Sequence, residues 1–207
     1  MENKQSSIFF WFFFFIYFTS IGYLVKCKLE PKIYFSKDSQ FNLTRTIERA
    51  KFLSETIGNR ILGSKEEKIT NKWIIKQLNI LKPKLEKLGN VKIETQLVSG
   101  DYHWDLPYIE NSPFVYTNIT NIFIHIEPKN QTFSDEIFLI SSHFDSSLTS
   151  PGFYDDGVPT SIMLEILENL SQIKGELKHP IIFLFNTAEG FNEQQKHLIF
   201  FFKNMVY

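Results

Sequence analysis

Residues 136–170 read EIFLISSHFDSSLTSPGFYDDGVPTSIMLEILENL. An apolar run of strand length, Ile137 to Ile140, leads straight into His143 and Asp145, and a Ser-Pro-Gly turn signal separates these from the pair Asp155-Asp156. From Val158 onward Ile162, Met163, Ile166, Leu167 and Leu170 return at three- and four-residue steps, the period of a helix with one apolar face. Pro159 falls near the start of that helix, where a missing N–H does no harm. A second apolar run, HPIIFLFNTAE at 179–189, has the near-continuous character of a strand buried on both faces. Strand, loop, helix and strand in this order predict an α/β layered domain with a largely parallel mixed sheet. In open sheets of that kind ligands gather beyond the carboxyl ends of the strands. His143, Asp145 and Glu189 are expected there, with Asp155 and Asp156 on the loop between them.

Upstream, Leu43, Ile47, Ala50, Leu53 and Ile57 recur along FNLTRTIERAKFLSETIGNR (41–60), which predicts an amphipathic helix that Gly58 can end. A second helix is expected over 66–88, with Ile69, Trp73, Gln77 and Ile80 along one face and Pro83 kinking or splitting it. VKIETQLV (91–98) alternates as a strand does, and TNIFIHIEP (120–128) reads as another. The Gly, Asp and Pro content of 99–113 predicts a loop between them. A last helix is expected over 193–205.

The N-terminus has a different character. Residues 8–25, IFFWFFFFIYFTSIGYLV, form an uncharged apolar run. As a helix it would span about 27 Å, against a hydrocarbon thickness of roughly 30 Å. This predicts one N-terminal transmembrane anchor after a tail at 1–7, followed by a linker at 26–41 and a folded body from 42 to 207. Ser20-Ile21-Gly22 also resembles a signal-peptidase site, but the run is longer than a usual signal core. Lys4 precedes the run while Lys26, Lys28 and Lys32 follow it, so charge alone does not favour a lumenal body. Four Asn-x-Ser/Thr sequons, at Asn42, Asn118, Asn130 and Asn169, would be usable only in the secretory lumen.

A formal net charge of −1 over 207 residues gives no basic surface for nucleic acid. The single cysteine, Cys27, excludes an internal disulfide framework.

His143 and Asp145, two apart on an extended segment, point the same way, so the carboxylate can steady the imidazole while its other nitrogen faces an ion. Asp155 lies on a loop that can fold back, and a shared carboxylate is what a pair of metal ions requires. Glu189 suits a base that takes a proton from water. Singly, each residue has a structural explanation: a hydrogen-bonded strand-end histidine, or an Asp-Asp-Gly turn. Jointly, at the ends of two strands, they point to metal chemistry. A serine hydrolase fits poorly, because no Gly-x-Ser-x-Gly elbow is present.

The segment SSHFDSSLTSPGFYDDGV, the helix SIMLEILENL and the strand HPIIFLFNTAE together resemble the zinc exopeptidases of peptidase family M28, and most of all its membrane-anchored endoplasmic reticulum members. The likeness runs from about Glu48 to Phe202 and includes IGNRILGS, TNITNIFIHIEP, Gln194 and His197. It implies part of a three-layer sandwich, a peptide substrate, two zinc ions per site, and a lumenal body on an endoplasmic reticulum membrane. It further implies that His143 binds one zinc, Asp155 bridges both, Asp145 supports His143, and Glu189 is the general acid/base. Where the family has a second glutamate after Glu189, as a zinc ligand, this chain has Gly190. It also stops at Tyr207, before the region of the family's remaining Asp and His ligands. The resulting expectation is a metallo-exopeptidase by descent that is incomplete or inactive as this chain, or a non-catalytic lumenal interaction module that keeps the fold. The sequence leaves oligomeric state and substrate identity open.

Overall fold

The computed structural model describes residues 2–29, 41–106, 109–129, 136–175 and 177–188, with the backbone alone at 2–8, 25, 27–29, 101–106, 109–114 and 116. The chain divides into two compact units, Met1–Ser39 and Gln40–Tyr207.

The first unit contains α1, Glu2–Leu29. Its described side chains from Phe9 to Leu24 are all exposed, and aromatic neighbours contact each other edge-on, as Trp11 and Phe14 do with ring centroids 5.6 Å apart. Among the described residues no helix is long and apolar enough to cross a membrane, so the expected transmembrane span is not found in them. The expected 8–25 run lies inside a longer helix.

In the second unit, α2 (Leu43–Lys51) runs into a single π-helical turn, Phe52–Ile57. It is followed by α3 (Lys65–Leu85) and by the strands β1 (Gly89–Leu106), β2 (Ile109–Pro128) and β3 (Phe138–His143). A turn at Phe153–Gly157, in which Asp155 and Asp156 leave helical geometry, leads into α4 (Val158–Leu170), and β4 (Ile181–Asn186) follows. The helix starts carry their chemistry in the sequence. Asn42 Oδ1 accepts the Arg45 N–H at 2.9 Å, and Ser64 Oγ accepts the Glu67 N–H at 3.0 Å, each satisfying a donor that a first turn leaves free.

The described strands lie in the order β1-β2-β4-β3. β1 and β2 form an antiparallel hairpin, β2 and β4 are antiparallel, and only β3 with β4 is parallel. The mixed sheet expected from the sequence is found, but among the described strands its pairing is mostly antiparallel and not largely parallel. The reason is the hairpin: 99–113 is not a loop, because β1 continues to Leu106 and β2 begins at Ile109, with an irregularity between Val98 and Gly100. Asn118 takes a positive φ of 57° opposite that irregularity, the geometry of a bulge that absorbs an extra residue.

Strand alternation splits the core. Ile122, Ile124, Ile126, Phe183 and Phe185 face α3 and α4 and pack with Ile74, Leu78, Leu81, Met163 and Leu167, while Phe123, Ile182 and Leu184 form a smaller buried cluster. The buried face of α3 is Thr70, Ile74, Leu78, Leu81 and Leu85, not the predicted stripe: Ile69 and Ile80 are exposed. α2 likewise buries Thr46 and Ala50 while Leu43 is exposed. Small side chains there let α2 approach α4 closely. Pro83 sits in the last turn of α3, which runs on to Leu85, so the helix is not split there.

Candidate metal centre

β3 ends at His143, which pairs in register with Asn186 of β4, and the Phe144 N–H extends the ladder by donating to Asn186 O at 2.9 Å. The backbone is still extended there, so His143 and Asp145 share a side, and His143 Nδ1 lies 3.2 Å from Asp145 Oδ1. The other ring nitrogen, Nε2, lies 3.0 Å from Asp155 Oδ1 and 3.8 Å from Asp156 Oδ2. The imidazole and Asp145 are buried, whereas the Asp155 side chain is 88 % exposed. The group is thus shielded behind and open in front.

Asp156 is tied to the strand it faces. Its Oδ2 accepts the Ser142 hydroxyl at 2.8 Å and the His143 N–H at 3.2 Å. Burial pushes the Asp156 carboxyl above its ordinary range, against the opposing effects of the Ser142 hydrogen bond and the His143 charge. Thr160, in the first turn of α4, donates to His143 O at 2.9 Å, which links the helix start to the strand end. The peptide joining Asp155 to Asp156 is cis.

One donor atom from each of His143, Asp155 and Asp156 falls within 4.8 Å of the others. An imidazole nitrogen and two carboxylate oxygens, with the far side of the ring held by a third carboxylate, suit a divalent cation such as zinc. The residues present therefore fit a metal ion. Asp156 was not among the residues predicted as ligands. Its signal in the sequence, the doubled acid, also reads as a turn. Glu189 and Gly190, as well as Gln194 and His197, lie outside the described residues.

Arg60 was also missed. It is wholly buried, and burial pushes its guanidinium down to about 10, against the pull of Asp145 and Asp156. It therefore remains a cation at neutral pH. A lone arginine after Gly-Asn carries no periodicity that could mark it. Separate from the centre, a groove of about 600 Å³ between the start of α3 and the β1–β2 hairpin is lined by Glu67, Lys68, Lys72, Thr95, Leu97 and Thr120 among others. None of His143, Asp145, Asp155 and Asp156 lines it. Glu67 has a structural use there, since its Oε2 accepts the Gly63 N–H at 2.7 Å ahead of α3.

Residues 121–194 match the profile of peptidase family M28. Endoplasmic reticulum metallopeptidase 1 of Homo sapiens is 34% identical over 143 residues, covering 69% of this chain and 15% of that protein. The vacuolar membrane protease of Lodderomyces elongisporus is 41% identical over 76 residues, covering 37% of this chain and 8% of that one. The chain thus spans a small part of the length of the curated relatives it matches. A zinc aminopeptidase from Bacillus subtilis superposes with a TM-score of 0.53 at 17% identity, over 72% of this chain and 62% of its own, which establishes a shared α/β fold. The sequence match and the shared fold agree: this chain belongs to peptidase family M28.

Proposed function

We propose that this chain is the amino-terminal part of a membrane-anchored, zinc-dependent exopeptidase domain, of the aminopeptidase type, acting on peptides on the lumenal side of the endoplasmic reticulum. The observation that carries the reading is the convergence of His143, Asp155 and Asp156 at the end of β3, with the far ring nitrogen against Asp145. In this reading His143 Nε2 and the carboxylates of Asp155 and Asp156 would hold the ion. Asp145 fixes the ring so that Nε2 faces outward. The Asp155 side chain, largely exposed, would be the one shared with a second ion. Glu189, one residue beyond the described end of the β4 segment, would take and return the proton of the attacking water. Zinc, when bound, supplies Lewis-acid polarisation of a carbonyl and a lowered pKa for bound water.

Membrane and compartment are inferred from α1, whose side chains from Phe9 to Leu24 are mostly apolar and all exposed, and from the human relative's name. Among the described sequons, Asn118 best fits lumenal modification: it is exposed on a bulge, whereas the Asn42 carboxamide caps α2 and Asn169 Oδ1 is buried. A second reading, a non-catalytic module with the peptidase fold, is favoured by Gly190, which has no side chain to ligate.

Zinc titration calorimetry on the purified chain, with hydrolysis of an aminoacyl-p-nitroanilide, tests both readings. Zinc binding with turnover is the expected result for the enzyme. Binding without turnover selects the module, and no binding rejects the metal centre. Endoglycosidase treatment of the chain made in microsomes should shift its mobility, less so in Asn118→Gln, and an unshifted chain would contradict the lumenal placement.

A further inference from the structure

The loop that carries the acidic pair is organised around one buried cation. Arg60 follows Gly58, which ends the α2 segment at a φ of 92°. Its Nε donates to Phe144 O at 2.7 Å, Nη1 to Leu53 O at 2.8 Å, to Gly58 O at 3.1 Å and to Pro151 O at 2.8 Å, and Nη2 to Gly152 O at 3.0 Å. All five acceptors are main-chain carbonyls. Three of them, at 144, 151 and 152, bracket the loop that leaves β3. The backbone of Arg60 adds to the grip: its N–H donates to Ser146 Oγ at 2.8 Å and its C=O accepts the Ser146 N–H at 3.1 Å. Next to it, Asn59 Nδ2 donates to Leu148 O at 3.0 Å.

What this grip holds is the approach to Asp155. Gly152 has a φ of 60°, and a Cβ there would lie 2.5 Å from Asp155 O and 3.0 Å from Arg60 Nη2. Gly152 O, already bound to Arg60, also accepts the Gly157 N–H at 3.0 Å, closing the turn on both sides of the acidic pair. Among the described residues the hydrogen bonds of the guanidinium go to main-chain carbonyls, while Asp145 and Asp156 act on its charge from farther off. A buried cation surrounded by carbonyl dipoles loses its solvation unless its N–H groups are used, and here three of the five bonds are spent on the loop. Arg60 therefore does more than fill space.

We infer that Arg60 is a positioning residue of the metal centre: by clasping the 144–152 loop from behind, it sets the distance between His143 and the Asp155–Asp156 pair. The inference rests on the metal reading above for its consequence, but its direct effect is on the loop. The experiment compares the full chain with Arg60→Lys, Arg60→Met and Asn59→Ala. It uses amide hydrogen exchange over 144–157 without metal, cobalt(II) titration followed by visible absorption, and thermal unfolding. Arg60→Lys should speed exchange over 144–157 while amides of α3 and β2 keep their protection. It should also lose cobalt affinity by about tenfold or more, the range typical of residues that orient ligands, with a weakened d–d band. Arg60→Met should lose more, and if it does not fold, the milder Asn59→Ala should show the same direction with a smaller loss. A folded Arg60→Lys with wild-type loop protection, cobalt affinity and spectrum would overturn the inference, even if its melting temperature fell. Wild-type protein that binds no cobalt, while Arg60→Lys still loosens the loop, would remove the metal reading and leave the positioning role standing.

Discussion

Two acidic groups of this domain receive opposite treatment. Glu165, in the middle of α4, has no exposed side-chain surface. It accepts the Asn42 N–H at 3.0 Å, Arg45 Nε and Nη2 both at 2.7 Å, and Arg49 Nη1 at 3.2 Å. Its acceptor capacity is used up within the protein, and the result is a joint between α2 and α4. Asp155, in the turn before α4, keeps most of its side chain in solvent and sets one oxygen against a histidine. A charge fully consumed inside the fold holds the fold together. One that is positioned but left partly unspent is available to something outside it.

The contrast can be broken most forcefully at Glu165. Its replacement by Ala strands Arg45 and the largely buried Arg49, and should cost about 3–5 kcal/mol in urea unfolding, while zinc affinity of the folded fraction stays unchanged. A loss of zinc affinity as large as the loss of stability would erase the distinction between the two groups. The same residue gives a pH signature. Burial raises the Glu165 carboxyl, but the Arg45 hydrogen bonds, the Asn42 N–H and the charges of Arg45 and Arg49 outweigh it and hold the group below its ordinary value. The folded state therefore gains stability that is present above the ordinary carboxylate range and lost as pH falls through the lowered value. Glu165→Gln should remove that acid-labile component from a stability–pH curve.

Asp155→Asn should give the converse. Zinc affinity should drop about a hundredfold, equivalent to about 2.7 kcal/mol, while metal-free stability moves by less than about 0.5 kcal/mol, as read by calorimetry and thermal unfolding. Gly152→Ala should strike both properties moderately, since an L-residue at that φ costs about 1–2 kcal/mol and its Cβ would press on Asp155 O. The smallest effect belongs to Lys84→Ala. Its 3.0 Å pair with Glu168 is half exposed on the lysine side, and its loss should cost no more than about 0.5–1 kcal/mol in unfolding.

The sequence made one half of the domain plain and the other half obscure. α4 occupies the predicted 158–170, because a clean apolar period sits between Pro159 and a polar stretch. β3 and β4 were visible as apolar runs ending in chemistry. The hairpin was not, since Gly100, Asp105 and Pro113 suggest a turn, and only pairing with a second strand makes that stretch extended. The face of α3 was predicted one residue away from the true one: Thr70 and Leu81 are buried where Ile69 and Ile80 were expected, because the sheet it packs on chooses the face. Glu165 and Arg60 were invisible for a common reason. A buried charge is explained by its partners, and theirs lie about a hundred residues away in some bonds.

The strand order has a consequence in time. β3 precedes β4 in the chain, yet among the described strands it hydrogen-bonds only to β4, which lies between it and β2. A growing chain can close the β1–β2 hairpin early, because its partners are near in sequence, whereas segment 138–143 must wait until residue 186 has been made and threaded into the gap. The half-built sheet would meanwhile present an unzipped margin along Ile122 to Ile126. Assembly of the histidine's surroundings then has to follow synthesis of β4, and a nascent chain stalled before β4 would be a client for chaperones long before it could meet an ion.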